Sequence, residues 1–220
     1  GLSIVVPFYR EWRFVFSLLP QIARAPETWE WVFVCDDPSI FAPLHKILMA
    51  QPSAVRERIT LLRMAVNAGF ATANNVGSSE AAASTLLLMN SDVWFRSFAP
   101  LMRGLPLIAD GKFDLLGFTL LFEDGTIQHD GMALEPSVEL DGLYLAQHPR
   151  KGLAPRLESS PGVREQHLVT GALMLMSKQR FNSLGGFSQA YVGGDFEDVD
   201  LCIRIGQAGG RIGIVTSAEI

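Results

Sequence analysis

STLLLMNSD, residues 84–92, is an apolar run that stops abruptly on three polar residues, Asn90, Ser91 and Asp92. A strand with one wet face alternates apolar and polar side chains. An unbroken run is the pattern of a strand covered on both faces, and such strands belong to parallel sheets. Toward the N-terminus three similar runs precede it: LSIVVP (2–7), WEWVFVC (29–35) and ITLLRM (59–64). Helix-like stretches separate them at 11–24 (interrupted by Pro20), 41–50 and 71–83. Strands alternating with helices predict an α/β fold with a mostly parallel central sheet and crossover helices.

Toward the C-terminus the pattern changes after about residue 110. FDLLGFTLLF (113–122) and TIQHDGMAL (126–134) flank EDG (123–125), which predicts a small antiparallel hairpin with an Asp-Gly turn. Residues 136–166 are rich in Pro, Gly, Ser and charge and read as a long mobile loop of the kind that forms functional lids. HLVTGALMLM (167–176) reads as a strand and 196–208 as a helix stopped by Gly209-Gly210. RIGIV (211–215) reads as a final strand. No internal repeat interrupts this single domain of residues 1–220.

The composition agrees. Of 220 residues 48% are apolar and only 19% charged, against about 25% charged in an average globular chain. That excludes disorder and supports a sheet buried on both sides. A net charge of −5 argues against a nucleic-acid partner, which is met by a basic face, but not against one bound nucleotide. Cys35 and Cys202 lie in apolar surroundings and read as reduced core cysteines of a cytoplasmic protein. No run approaches the length of a membrane span. A start without Met or signal peptide, and an end inside a strand pattern, read as a domain excised from a longer protein, with other domains as partners.

In an open α/β sheet, ligands bind beyond the carboxyl ends of the strands. After the first strand stand Pro7, Phe8, Tyr9 and Arg10, after the second Asp36 and Asp37, after the third NAGFATANN (67–75), and after the fourth Asn90-Ser91-Asp92. Each alone is also what a turn or helix cap would use. Together they place oxygen and amide groups at every carboxyl end. Asn90 and Asp92, two apart on an extended segment, point the same way and suit a hard divalent cation that keeps positions open for phosphates. Near the C-terminus Asp195, Glu197, Asp198 and Asp200 crowd a helix start. Four acids within six residues exceed what capping requires, and Asp198 heads an inward face as a candidate general base. Arg204 is placed to pair with Asp200 or Glu197.

Taken in order, FVCDDPS, NAGFATANN, LLLMNSDV, DGTIQHDG and VTGALMLMSKQRFNSLGGFSQAYVGGDFEDVDLCIRIGQAGG resemble the family 2 inverting nucleotide-sugar glycosyltransferases of GT-A fold, with the flavour of the rhamnosyltransferase-like branch that builds bacterial surface polysaccharides. The resemblance spans nearly the whole chain and is weakest at 136–166. It implies a nucleotide-binding half at 1–110 and an acceptor and catalytic-base half at 111–220. Pro7, Tyr9, Asp36, Asn67, Gly69, Asn74 and Asn90 would then line the nucleotide pocket. Asp92 would hold Mg or Mn, with Asn standing where the family's metal motif has its first acid. Thr170, Gly171, Asp195 and Arg204 would border donor sugar and acceptor, and Glu197 and Asp198 would form the acidic pair, with Asp198 favoured as base. The donor implied is a UDP- or dTDP-sugar and the acceptor a saccharide or lipid-linked hydroxyl. The place implied is the cytoplasm, with peripheral association at the inner face of the membrane. The family often completes its metal site with a histidine after the last strand, a position beyond Ile220. His129, His148 and His167 do not occupy it and read as loop or hairpin residues. A nucleotidyltransferase would need a Gly-rich basic loop after the first strand, and PFYREWR has no glycine. A catalytically inactive GT-A-like binding domain of a larger polysaccharide-synthesis protein is the alternative.

Overall fold

The computed structural model describes residues 1–139, 141–155, 162–191, 196–216 and 220. In chain order the elements are β1 (Leu2–Phe8), α1 (Val15–Arg24), β2 (Trp29–Cys35), α2 (Phe41–Met49), α3 (Ser53–Arg56), β3 (Ile59–Arg63), α4 (Gly69–Glu80), β4 (Thr85–Met89) and α5 (Ala99–Ala109). Then follow β5 (Leu115–Phe118), β6 (Leu120–Leu121), β7 (Ile127–His129), β8 (Ala133–Pro136), β9 (Tyr144–Gln147), β10 (Val163–Gln166), β11 (Leu173–Ser177), α6 (Lys178–Ser183), α7 (Glu197–Gln207) and β12 (Ile212–Val215).

The main sheet has eight strands in the order β10-β12-β5-β11-β4-β1-β2-β3. β1 to β4 pair in parallel, and so do β5 and β12. β11 runs against both β4 and β5, and β10 against β12. The α/β class, the mostly parallel sheet with flanking helices and the small hairpin region are therefore as the sequence predicts. The hairpin is β6 with β7, whose Asp124 Oδ1 accepts from the Thr126 N–H at 2.8 Å and its hydroxyl at 2.7 Å.

Unbroken apolar strands follow from burial on both faces. Ile4, Val6, Phe8 and Phe33 pack under α1, α2 and α5. Val5, Val32, Val34 and Leu88 pack under α4, α6 and α7. α4 lies so close to the sheet that a Cβ at Gly77 would stand 2.4 Å from Val5 Cγ1 and 2.8 Å from Val34 Cγ2. Glycine is required there by the distance of approach. Cys35 and Cys202 are free and buried.

Three expectations are corrected. Pro20 does not interrupt the first helix but lies inside α1, on its exposed side, where water can serve the carbonyl that loses its N–H partner. Residues 136–166 are not one loop. β9 pairs with β8, and β10 closes the edge of the main sheet. The strand read from 167 starts only at Leu173, after a single bridge between Met132 and Leu168. No helix among the described residues is long and apolar enough to cross a membrane.

Candidate functional site

β1, β2 and β3 step one way across the sheet, and β4 returns to the other side of β1. The crevice where a parallel sheet reverses its order is open at the carboxyl ends of the strands. A cleft of about 770 Å³ occupies it, lined by Pro7, Tyr9, Asp36, Asn67, Gly69, Asn90, Asp92 and Glu197 among others. Eight of the predicted site residues thus meet in one place. A second cleft of about 410 Å³ shares Asn90 and Asp92 and is otherwise walled by residues such as Trp94, Arg96, Phe122, Glu123, Gln128 and Ala172. Asn90 and Asp92 are the partition between the two.

The reversed direction of β11 explains why residues 170–172 join them. Leu173 pairs with Met89, so the segment before β11 runs beside the segment after β4. The Asn90 N–H donates to the Ala172 carbonyl at 2.9 Å. The Gly171 N–H donates to Asp198 Oδ2 at 2.7 Å, and a Cβ at Gly171 would meet Asp198 Cβ at 3.3 Å and Phe70 Cζ at 3.2 Å. α7 opens on Glu197, which lines the first cleft, and on Asp198, which lines neither cleft and whose Oδ1 also accepts from the Val199 N–H at 2.7 Å. Phe196 before them sits at φ 74°, a left-handed conformation that costs a bulky residue on the order of 1–3 kcal/mol and concentrates at functional sites. Arg10, at the rim beside Tyr9, is also left-handed at φ 60°, with its guanidinium 4.8 Å over the Tyr9 ring.

The carboxylates differ in what they hold. Asp36 is 3% exposed, and its two oxygens accept from the Ala68 N–H at 2.8 Å and the Gly69 N–H at 2.9 Å. Burial raises its pKa, and the two N–H donors oppose the rise. Asp36 therefore clamps the turn into α4 at the floor of the cleft. Asn67 Oδ1 supports the same turn by accepting from Gly69 N–H at 3.2 Å. Asp92 is exposed, and neither its side chain nor that of Asn90 engages any of the described residues. Glu197 is buried and partnered at the cleft wall.

Other predicted residues lie elsewhere. Asn74 is fully buried in α4, donates to the Phe70 carbonyl at 3.0 Å and does not line the cleft. Arg204 spends its guanidinium on Asp200 Oδ2 at 2.8 Å and on the Leu184 and Gly186 carbonyls at 2.6 and 2.8 Å. It ties α7 to the loop after α6 and lines neither cleft. Thr170 borders the His129 ring. Asp195 lies outside the described residues. Sequence reasoning passed over Gln189, Tyr191 and Phe14 in the first cleft and Trp94, Arg96 and Gln128 in the second. Trp94 carried a signal, an aromatic residue two positions after the polar stop of β4, and it is 48% exposed. For a cation the donor set is chemically apt: two unengaged oxygen side chains facing a cleft fit an ion that takes its remaining ligands from phosphates. No group of three His, Cys, Asp or Glu converges among the described residues.

Comparison with known proteins bears on the fold first. The profile of a family described as the N-terminal domain of galactosyltransferase matches residues 161–220. The chain is 26% identical over 154 residues to the uncharacterized protein y4gI of Sinorhizobium fredii, covering 69% of this chain and 16% of that one. Its fold is similar to that of S. aureus TarS residues 1–349, with a TM-score of 0.65 at 16% identity, over 98% of this chain and 58% of that one. It is similar to GalNAc-T7 with UDP, GalNAc and Mn2+ (0.69, 17%, 98% and 42%). It is also similar to the mannosyltransferase PcManGT of Pyrobaculum calidifontis in complex with GDP-Man and Mn2+ (0.65, 17%, 99% and 56%). These likenesses establish the GT-A fold. The chain spans about a sixth of the curated relative and about half of each of these structures.

Proposed function

We propose that the chain is the catalytic region of an inverting glycosyltransferase of the family 2, rhamnosyltransferase-like kind. It would move a sugar from a UDP- or dTDP-linked donor to a hydroxyl of a saccharide or lipid-linked acceptor in cell-surface polysaccharide synthesis. The observation that carries this reading is the partition: Asn90 and Asp92, unengaged, divide two clefts at the switch point of the sheet. The larger cleft, in the half at 1–110, suits the nucleotide. Its Tyr9 ring and Pro7 offer faces for a base, while Asp36 and Asn67 keep the turn into α4 in shape. The smaller cleft, walled by both halves with Trp94 and Arg96 from the first and Phe122, Glu123 and Gln128 from the second, suits the acceptor. An exposed indole with Arg, Glu and Gln around it is the usual chemistry for holding a sugar ring.

In the reaction the acceptor hydroxyl oxygen forms a bond to the anomeric carbon while the bond from that carbon to the diphosphate oxygen breaks. The electron pair leaves with the diphosphate and the configuration inverts. Asp198 takes the hydroxyl proton, held in place by Gly171. Asp92, with Asn90 beside it, would hold a divalent cation, Mg2+ or Mn2+, whose charge would stabilise the leaving diphosphate. GalNAc-T7 and PcManGT, whose structures contain Mn2+ with a nucleotide or nucleotide sugar, support this choice of cofactor. The reaction would run in the cytoplasm, at the inner face of the membrane where lipid-linked acceptors are reached.

Titration with UDP and dTDP, with and without Mn2+, followed by a turnover screen across nucleotide sugars, tests the reading. Metal-dependent nucleotide binding and turnover that falls about 10³-fold in Asp198→Asn are expected. Wild-type turnover in Asp198→Asn removes the base assignment, and binding without turnover favours the inactive binding domain.

A further inference from the structure

His129 and His148 are titratable groups beside the segment at residues 170–171 that holds Asp198, and the transfer reaction does not use them. His129 ends β7 and is 1% exposed. His148 follows β9. Their Nδ1 atoms lie 3.1 Å apart with the rings steeply inclined. Nε2 of His129 faces two backbone donors, the Gly131 N–H at 3.3 Å and the Thr170 N–H at 3.4 Å. An N–H donates only to a lone pair, so this Nε2 carries no proton. The His129 proton therefore sits on Nδ1 and is donated to Nδ1 of His148, whose own proton is on Nε2. The hydrogen-bond partners assign both tautomers, and both rings are neutral.

The surroundings keep them so. Burial, the His148 ring and the Arg164 guanidinium push His129 down to about 3. Burial and Lys151 push His148 down, and Asp198 opposes them. The nearby Asp130 gives the imidazoles no counter-charge, because its carboxylate accepts from Arg150 at 2.6 Å, Arg164 at 3.0 Å and the Thr119 hydroxyl at 3.0 Å. A proton added to His129 must enter at Nε2, where it would expel the Thr170 N–H.

The next N–H along the chain, that of Gly171, is the one that holds Asp198. We propose that His129, steadied by His148, is a positioning residue for Asp198: it fixes residues 170 and 171 so that the Gly171 N–H meets the carboxylate. The weight given to Asp198 rests on the function proposed above. The chain of hydrogen bonds does not, and its test needs neither donor nor acceptor.

The test uses the full chain labelled with 15N. Long-range proton–nitrogen spectra are expected to show His129 as the Nδ1–H tautomer and His148 as the Nε2–H tautomer, with His129 still neutral at pH 5. The Gly171 amide is the reporter of the Asp198 bond, calibrated by Asp198→Ala, which has no acceptor, and the Leu175 amide in β11 reports the fold. In His129→Ala, Gly171 should take the Asp198→Ala shift and exchange about tenfold faster or more, while Leu175 keeps its protection. His129→Gln, which can accept from Thr170 and donate to His148, should restore the wild-type Gly171 signal. A protonated Nε2 on His129 in the wild type overturns the proposal whatever the variants do. So does a Gly171 amide left unmoved in His129→Ala, or a His129→Gln that behaves like alanine. If the amide results hold but no nucleotide sugar is turned over, the device stands and the reading of Asp198 as base falls.

Discussion

Asp36 and Asp92 follow buried parallel strands, β2 and β4, and emerge at the same edge of the sheet into the same cleft. Asp36 is sealed under the turn into α4 with both oxygens bonded to backbone N–H groups. Asp92 is exposed and its carboxylate engages none of the described residues. The same sequence signal, a carboxylate at the carboxyl end of an apolar strand, thus covers two jobs. One acid builds the pocket, and the other is left for whatever enters it. What separates them is whether a neighbouring loop presents N–H groups, which depends on strand order and not on the local residues.

The contrast can be broken by substitution. Asp92→Ala should lower sugar transfer by about 10²-fold or more, about 2.7 kcal/mol of barrier, while the thermal midpoint stays within a degree or two of wild type. A loss of stability comparable to that of Asp36 would erase the distinction. Asp36→Ala should destabilise the fold by about 2–3 kcal/mol, because two backbone donors lose their partner, as read by denaturant unfolding. Arg204→Ala sharpens the comparison on the other half. It should cost about 2 kcal/mol through the lost carbonyl bonds, with the KM for the donor unchanged, whereas a raised KM at constant stability would return Arg204 to the sugar site.

Taken per pH unit, the smallest effect is a pH dependence. His129 has a folded pKa of about 3, below its unfolded value. The unfolded chain therefore binds more protons as pH falls. The stability contributed is complete above about pH 6.5 and is lost toward pH 3, by at most about 1.4 kcal/mol per pH unit. Unfolding at a series of pH values should show this slope and should lose it in His129→Gln.

The parallel strands β1 to β4 were legible because continuous apolar runs have few other uses in a chain of this length. The loops after them were legible as a set, since each strand of a parallel group delivers its carboxyl end to one edge. The direction of β11 was not, because LMLMS reads the same in either sense and only its partners fix it. β10, VREQ, escaped notice because an edge strand is half wet and its composition imitates a loop. Asn74 misled because its motif begins in the cleft and continues as a helix whose later residues turn away from it. The His129 and His148 pair was invisible, since two successive hairpins, β6 with β7 and β8 with β9, must both fold and pack before the rings meet.

The antiparallel placement of β11 has a consequence for how the molecule comes into being. Met89 finds its partner only at Leu173, so until the ribosome has delivered residues 173–177 the inner edge of β4 is an unpaired strand, apolar but for Thr85. Contacts of such long sequence separation form late and slowly. The β4 edge is then open to other chains, and crowded synthesis endangers it more than heating the finished protein. The wall shared by the two clefts is braced only when Ala172 arrives to accept from the Asn90 N–H, so a nascent chain that has folded its first four strands has the floor of the larger cleft without its braced wall.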